Sequence, residues 1–205
     1  MNDTWSKLPE EKRARIINAA LCSFGANGYK KTSMADIASA AGISKPMLFT
    51  YFGSKPGLYA FVADYAVGLV WEEFRAHAHK LLTDDFFERI RLSTEIKTAM
   101  MKRHPAILSF LTAMYYEEDA GVRPVIDKLL GEAVLLSGEQ MLKGIDTSRF
   151  KPGVEVQSVV KLLTWASSGL ADVWRGRDAS SLDALLEEFN EVLAMLRTIL
   201  YKEEQ

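Results

Sequence analysis

Apolar residues recur every three or four positions along almost the whole of this 205-residue chain, and nowhere do they alternate over the length of a strand. Spacing of that kind gathers side chains on one face of an α-helix, whereas a half-buried strand needs a period of two. The chain is therefore predicted to be all-α, with its Gly and Pro residues marking helix boundaries. Hydrophobic residues make up 48% of it, enough for a real core and too many for wholesale disorder. The polar opening MNDTWSKLPEEKR lacks the apolar stretch of a signal peptide, and runs such as AILSFLTAMYY at 106–116 are too short to cross a bilayer core of about 30 Å. A soluble, cytoplasmic protein with no membrane partner is expected. Cys22 is the single cysteine, so neither an intramolecular disulfide nor a thiolate metal cage can form.

The first helix is predicted to begin near Pro9, where a proline and the acids Glu10 and Glu11 suit the positive end of a helix dipole. Ile16, Ile17, Ala20, Leu21 and Phe24 form its apolar stripe, and Asn27 and Gly28 end it. In TSMADIASAAG, Ser33 and Asp36 have the spacing of a capping box, and Gly42 stops the helix. Ser44 can cap a third helix that tolerates Pro46 in its first turn. Two short helices joined by AGIS make a helix-turn-helix. Ser54 and Pro56 repeat the cap-and-proline start for a long fourth helix, and further helices are predicted over about 86–103, 105–117, 122–144, 154–176 and 180–202.

Charge is distributed unevenly. Residues 1–56 hold eight bases against four acids, while the remainder carries 17 bases against 23 acids. A basic head on an acidic body suits a protein that holds a polyanion with one end. On a helical wheel of residues 45–52, Leu48 and Phe52 point inward and Pro46, Met47 and Thr50 outward. Met and Thr can meet thymine methyls in the major groove, and Thr can also bond a base edge. Ser44 and Lys45 at the start of that helix, Lys55 beyond its end, and Thr32 and Ser33 before the preceding helix are placed for phosphates.

The run AALCSFGANGYKKTSMADIASAAGISKPMLFTYFGSKPGLY resembles the N-terminal DNA-binding domain of TetR/AcrR-family transcriptional regulators. The resemblance rests on the Phe-x-x-x-Gly-Tyr-x-x-Thr-Ser segment and the Gly-Ile-Ser-Lys-x-x-Leu-Phe-x-Tyr-Phe-x-Ser-Lys-x-x-Leu-Tyr signature, about 45 residues in all. It implies that Thr32 and Ser33 meet the DNA backbone, that Lys45, Pro46, Met47 and Thr50 enter the major groove, and that Tyr51 and Lys55 grip phosphates. Phe49 stands where the family commonly has Tyr, so it keeps a ring but no hydroxyl and is expected to pack or touch a sugar.

This reading divides the chain into a three-helix DNA-binding domain over 1–56 and a larger helical effector-binding and dimerisation domain over 57–205. A single helix-turn-helix reads few base pairs, so a homodimer on a near-palindromic double-stranded operator is expected. Its interface is predicted as a four-helix bundle from 154–176 and 180–202 of each chain. The family usually senses a small molecule in the body. Trp71, Phe74, Met100, Met101, Phe110, Met114, Tyr115 and Trp165 would line a pocket for an apolar or aromatic effector, although such residues at helical spacing also build ordinary cores. A filled core would favour a DNA-binding protein without an effector. An enzyme is disfavoured: His77 and His79 point to different faces of a helix, and no Glu-x-x-His pair, phosphate-binding glycine loop or nucleophile motif is present. Neither a cofactor nor a metal is expected.

Overall fold

The structure is a computed structural model, and it describes residues 3–173 and 181–203. Helix follows helix: α1 (Asp3–Ser6), α2 (Glu10–Lys31), α3 (Met34–Ala40), α4 (Lys45–Phe52), α5 (Lys55–Ala76), α6 (Phe86–Arg103), α7 (Pro105–Tyr115), α8 (Arg123–Leu142), α9 (Val156–Val173) and α10 (Leu182–Leu200). Short 3₁₀ turns occupy Ala78–Leu81 and Thr147–Arg149. Among the described residues there is no strand, and one isolated bridge joins Phe150 to Tyr201. The all-α expectation holds. No helix among them is long and apolar enough to cross a membrane.

Helix starts follow the local chemistry. Ser33 caps α3 by accepting from the Asp36 N–H at 3.1 Å, and its hydroxyl donates to the Asp36 carboxylate at 2.6 Å. Ser54 accepts from the Gly57 N–H at 3.1 Å at the start of α5. Ser44 precedes α4 with extended backbone but makes no side-chain cap bond. The short α1 was not anticipated. The end of α2 also differs from expectation: Gly28 breaks the helix with φ +70°, yet helical bonding continues to Lys31.

The chain packs as two compact units, Met1–Val70 with His104–Glu132, and Trp71–Arg103 with Ala133–Gln205. These units do not follow the expected functional division at residue 56, because α7 packs along α2. In the first unit, Ile16, Ala20 and Phe24 of α2, Ile37 of α3, Leu48 of α4, Leu58 and Val62 of α5, and Phe110 and Met114 of α7 share one core. Each of the larger of these side chains, fully buried, stabilises by about 1.5–3 kcal/mol relative to exposure. Gly25 permits the α2–α7 contact: a Cβ there would lie 2.7 Å from Ser109 Oγ and 2.9 Å from the Phe110 nitrogen.

In the second unit, Phe86, Phe87, Phe150 and Tyr201 form an aromatic cluster with ring centroids 4.8–6.0 Å apart. Asp85 is buried beside it and offers its oxygens to Arg197 at 2.8 Å, the Glu88 N–H at 3.0 Å and Arg149 at 3.2 Å. These bonds satisfy a carboxylate that would be costly to bury alone. The Arg89 guanidinium holds the carbonyls of Gln140, Met141 and Lys143 at the end of α8, and that of Thr83.

Candidate nucleic-acid interface

Two glycines frame the candidate recognition helix. Gly42, at φ +64°, turns the chain after α3, where the Ile43 N–H bonds the Ala38 carbonyl at 3.0 Å; Gly53, at φ +73°, ends α4 and bonds the Phe49 carbonyl at 2.8 Å. Between them Leu48 is fully buried and Phe52 half-buried, as the helical wheel predicts. Tyr51 is buried as well, at 5% exposure, because Trp5 of α1 covers it. The Trp5 ring is itself 2% exposed and lies 5.8 Å from Tyr51, 4.9 Å from Phe52 and 5.3 Å from Phe61.

That contact rotates the buried side of α4. At about 100° per residue, burial of Tyr51 together with Leu48 moves the outward direction away from Met47 and toward Lys45 and Phe49. Ser44, Lys45, Pro46, Phe49 and Thr50 are exposed, whereas Met47 is half-buried against the core. The outward placement of Met47 is thus corrected to a flank. Tyr51, expected to grip a phosphate, contributes its ring to the core. Phe49 is 40% exposed, with Lys45 Nζ 6.0 Å from its ring centroid. The Thr50 hydroxyl donates to the Pro46 carbonyl at 3.0 Å. No acidic residue stands in α4, so Lys45 gives this surface a positive sign.

The flanking positions divide. Ser33 and Lys31 are exposed at the start of α3. Thr32, expected to meet the DNA backbone, is buried; its hydroxyl reaches the carbonyls of Gly28 at 2.8 Å and Ser23 at 2.9 Å, so it serves the break in α2. Lys55 is half-buried, its Nζ 4.3 Å from the centroid of the Tyr29 ring and 3.4 Å from the Lys30 carbonyl. Burial and the neighbouring Asp119 and Glu117 carboxylates push the Tyr29 phenol upward, which keeps the ring neutral beneath that cation. Sequence reasoning missed Trp5 and Glu117. A tryptophan in an otherwise polar N-terminus was a usable signal for the first; nothing local pointed to the second.

The residues expected to line an effector pocket fall in both units. In the first, Phe110 and Met114 are sealed in the core, with Phe110 5.4 Å from the Tyr59 ring, and Tyr115 is 39% exposed. In the second, Met100 is buried, Met101 is half-buried, and Trp71 and Phe74 are half-buried with rings 6.2 Å apart. Trp165 is 69% exposed on α9. A cleft of about 190 Å³ in this unit is lined by Glu73, His77, Lys80, Leu92, Glu95, Ile96, Ala99 and Arg103, none of them among the expected eight. Among the described residues no group of three or more His, Cys, Asp or Glu is placed to hold a metal ion.

An all-α chain whose N-terminal helix-turn-helix turns one uncovered, positively charged helix face outward has the build of a DNA-binding regulator. Residues 16–61 match the family model of bacterial regulatory proteins, tetR family. The chain is 37% identical over 71 residues to the HTH-type transcriptional dual regulator CecR of Shigella flexneri, a match covering 35% of this chain and 31% of CecR. It is 27% identical over 168 residues to the HTH-type transcriptional regulator RutR of Escherichia coli K12, covering 80% of this chain and 74% of RutR. Its fold matches that of a TetR family transcriptional regulator from Chloroflexus aurantiacus J-10-FL with a TM-score of 0.67, at 21% identity, over 98% of this chain and 99% of the other. The N-terminal helix-turn-helix region is thus similar to the DNA-binding domain of tetR-family regulators, and the fold of the chain is like theirs. Members of that family are regulators and not enzymes; they bind DNA operators, act as dimers and bind small-molecule ligands.

Proposed function

We propose that this protein is a homodimeric repressor that holds a near-palindromic operator and releases it when a small apolar or aromatic effector binds the body. The observation that carries the DNA-reading part is the outer face of α4, where Lys45, Pro46, Phe49 and Thr50 are exposed with no acid among them. Pro46 and Thr50 read base edges and thymine methyls, with Met47 at the flank, while Ser33, Ser44, Lys45 and Lys55 set position on phosphates. On this reading residues 1–56 are the DNA-binding domain and 57–205 carry dimerisation and effector binding.

Support for the dimer comes from α9 and α10. Leu162 and Trp165, three residues apart, are exposed on α9, and Val192, Met195 and Ile199 are exposed along one side of α10. Apolar side chains at helical spacing in water are suited to covering by a second copy. Residues 174–176 and 180 of the expected bundle lie outside the described residues. For the effector, the half-buried Trp71, Phe74 and Met101 are the adaptable groups that remain. The sealed Phe110 and Met114 favour a second reading, a DNA-binding regulator without an effector.

Selection of bound duplexes from the source genome by the purified protein tests the proposal. Enrichment of a near-palindrome with half-sites about one helical turn apart is expected; recovery of unrelated sequences in proportion to their abundance would overturn it. A screen of apolar and aromatic compounds for release of that duplex separates the two readings.

A further inference from the structure

Building on the phosphate role proposed for Lys55, we infer that Glu117, in the connection between α7 and α8, is a positioning residue for DNA binding. One of its carboxylate oxygens accepts the Tyr29 backbone N–H at 2.8 Å, across 88 residues of sequence. That N–H follows the break at Gly28, where the helical ladder of α2 is interrupted. The other exposed group of the break, the Gly28 carbonyl, is taken by Thr32. Glu117 and Thr32 together hold the break from its two sides.

Glu117 is itself anchored. Its second oxygen accepts the Asp119 N–H at 3.1 Å, its carbonyl accepts Arg123 Nη1 at 3.0 Å, and its own N–H bonds the Met114 carbonyl at 3.2 Å. Met114 and Val122 on either side of the connection are buried in the core of the same unit. The carboxylate is therefore a fixed point, and it sets where Tyr29 and the following turn lie. Lys55 depends on both, since its ammonium sits over the Tyr29 ring and beside the Lys30 carbonyl. Glu117 thus fixes the seat of a phosphate-binding lysine without touching DNA. The same bond ties a connection that follows α7 to the start of the helix-turn-helix, so a change in α7 and α8 would be felt at that lysine.

A double-variant cycle between Glu117→Ala and Lys55→Ala tests this, using a duplex selected from random-sequence DNA by the wild-type protein. Binding is measured from low to physiological salt, at a temperature where circular dichroism shows every variant folded. Lys55→Ala alone is expected to weaken binding about tenfold and to flatten the log–log salt slope by about one per subunit. Glu117→Ala is expected to weaken binding about as much and to flatten the slope in the same way, with the double variant little worse than either single one. Glu117→Gln, which keeps an oxygen to accept the Tyr29 N–H, should restore most of the affinity. Losses that multiply in the double variant, or a Glu117→Ala variant with unchanged slope, would overturn the positioning role alone. A Lys55→Ala variant that binds like wild type would overturn the phosphate role of Lys55, and the seat with it.

Discussion

At the scale of single residues, Trp5 decides which side of the recognition helix meets solvent. Its ring covers Tyr51 and Phe52, so the outer face of α4 is Lys45, Pro46, Phe49 and Thr50, with Met47 at its edge. Removing it leaves a cavity under α4: Trp5→Ala is expected to cost about 3–5 kcal/mol in urea denaturation, while Trp5→Phe keeps much of the contact. Operator affinity of the folded Trp5→Ala protein should fall as well, because α4 loses its support. Much of this was open to reading in the residues themselves. Inward Leu48 and Phe52, outward Pro46 and Thr50, and the Ser33–Asp36 box all follow from spacing. Tyr51 and Met47 did not, because their burial depends on a tryptophan that a wheel of residues 45–52 does not contain. Glu117 was beyond any local pattern, since its partner is a backbone N–H freed by a glycine far upstream.

Among elements, the fit of α7 along α2 organises the first unit. At Gly25 the atom that a Cβ would meet at 2.9 Å is the backbone nitrogen of Phe110, which has little room to give. Gly25→Ala is expected to destabilise by about 1–3 kcal/mol, read as a lower urea midpoint with an unchanged slope. Loss of the α3 cap in Ser33→Ala should cost about 1 kcal/mol by the same measurement. Helix type and most helix ends were legible because Ser, Pro, Gly and the apolar stripe act within a few residues of one another. The end of α2 was not. Asn27 and Gly28 signal a stop, but Glu117 and Thr32 supply the bonds that let a further turn continue to Lys31.

For the whole molecule, the proposed function gives DNA to a basic N-terminal quarter and the pairing of two copies to an acidic remainder. Trp165→Glu combined with Met195→Glu places charge on the exposed apolar faces of α9 and α10 and should leave the fold of the subunit intact. Sedimentation at micromolar concentration is expected to show a monomer, with operator affinity reduced by at least a hundredfold as the second half-site is lost. The effector pocket was the least legible feature. Composition marked eight large flexible side chains, but packing sealed Phe110 and Met114 in a core and turned Trp165 to solvent, and which of those fates a side chain meets is decided by neighbours distant in sequence. In the proposed function the outer face of α4 reads sequence while the flanking lysines only hold the backbone. Selection from the source genome with the wild type, Thr50→Ala and Lys55→Ala in parallel, at about 0.15 M salt so that non-specific binding is screened, tests it most directly. One near-palindrome is expected for the wild type, the same motif at lower yield for Lys55→Ala, and a motif altered at a symmetric pair of positions for Thr50→Ala. An unchanged motif from Thr50→Ala, with yield reduced alike for both variants, would contradict it.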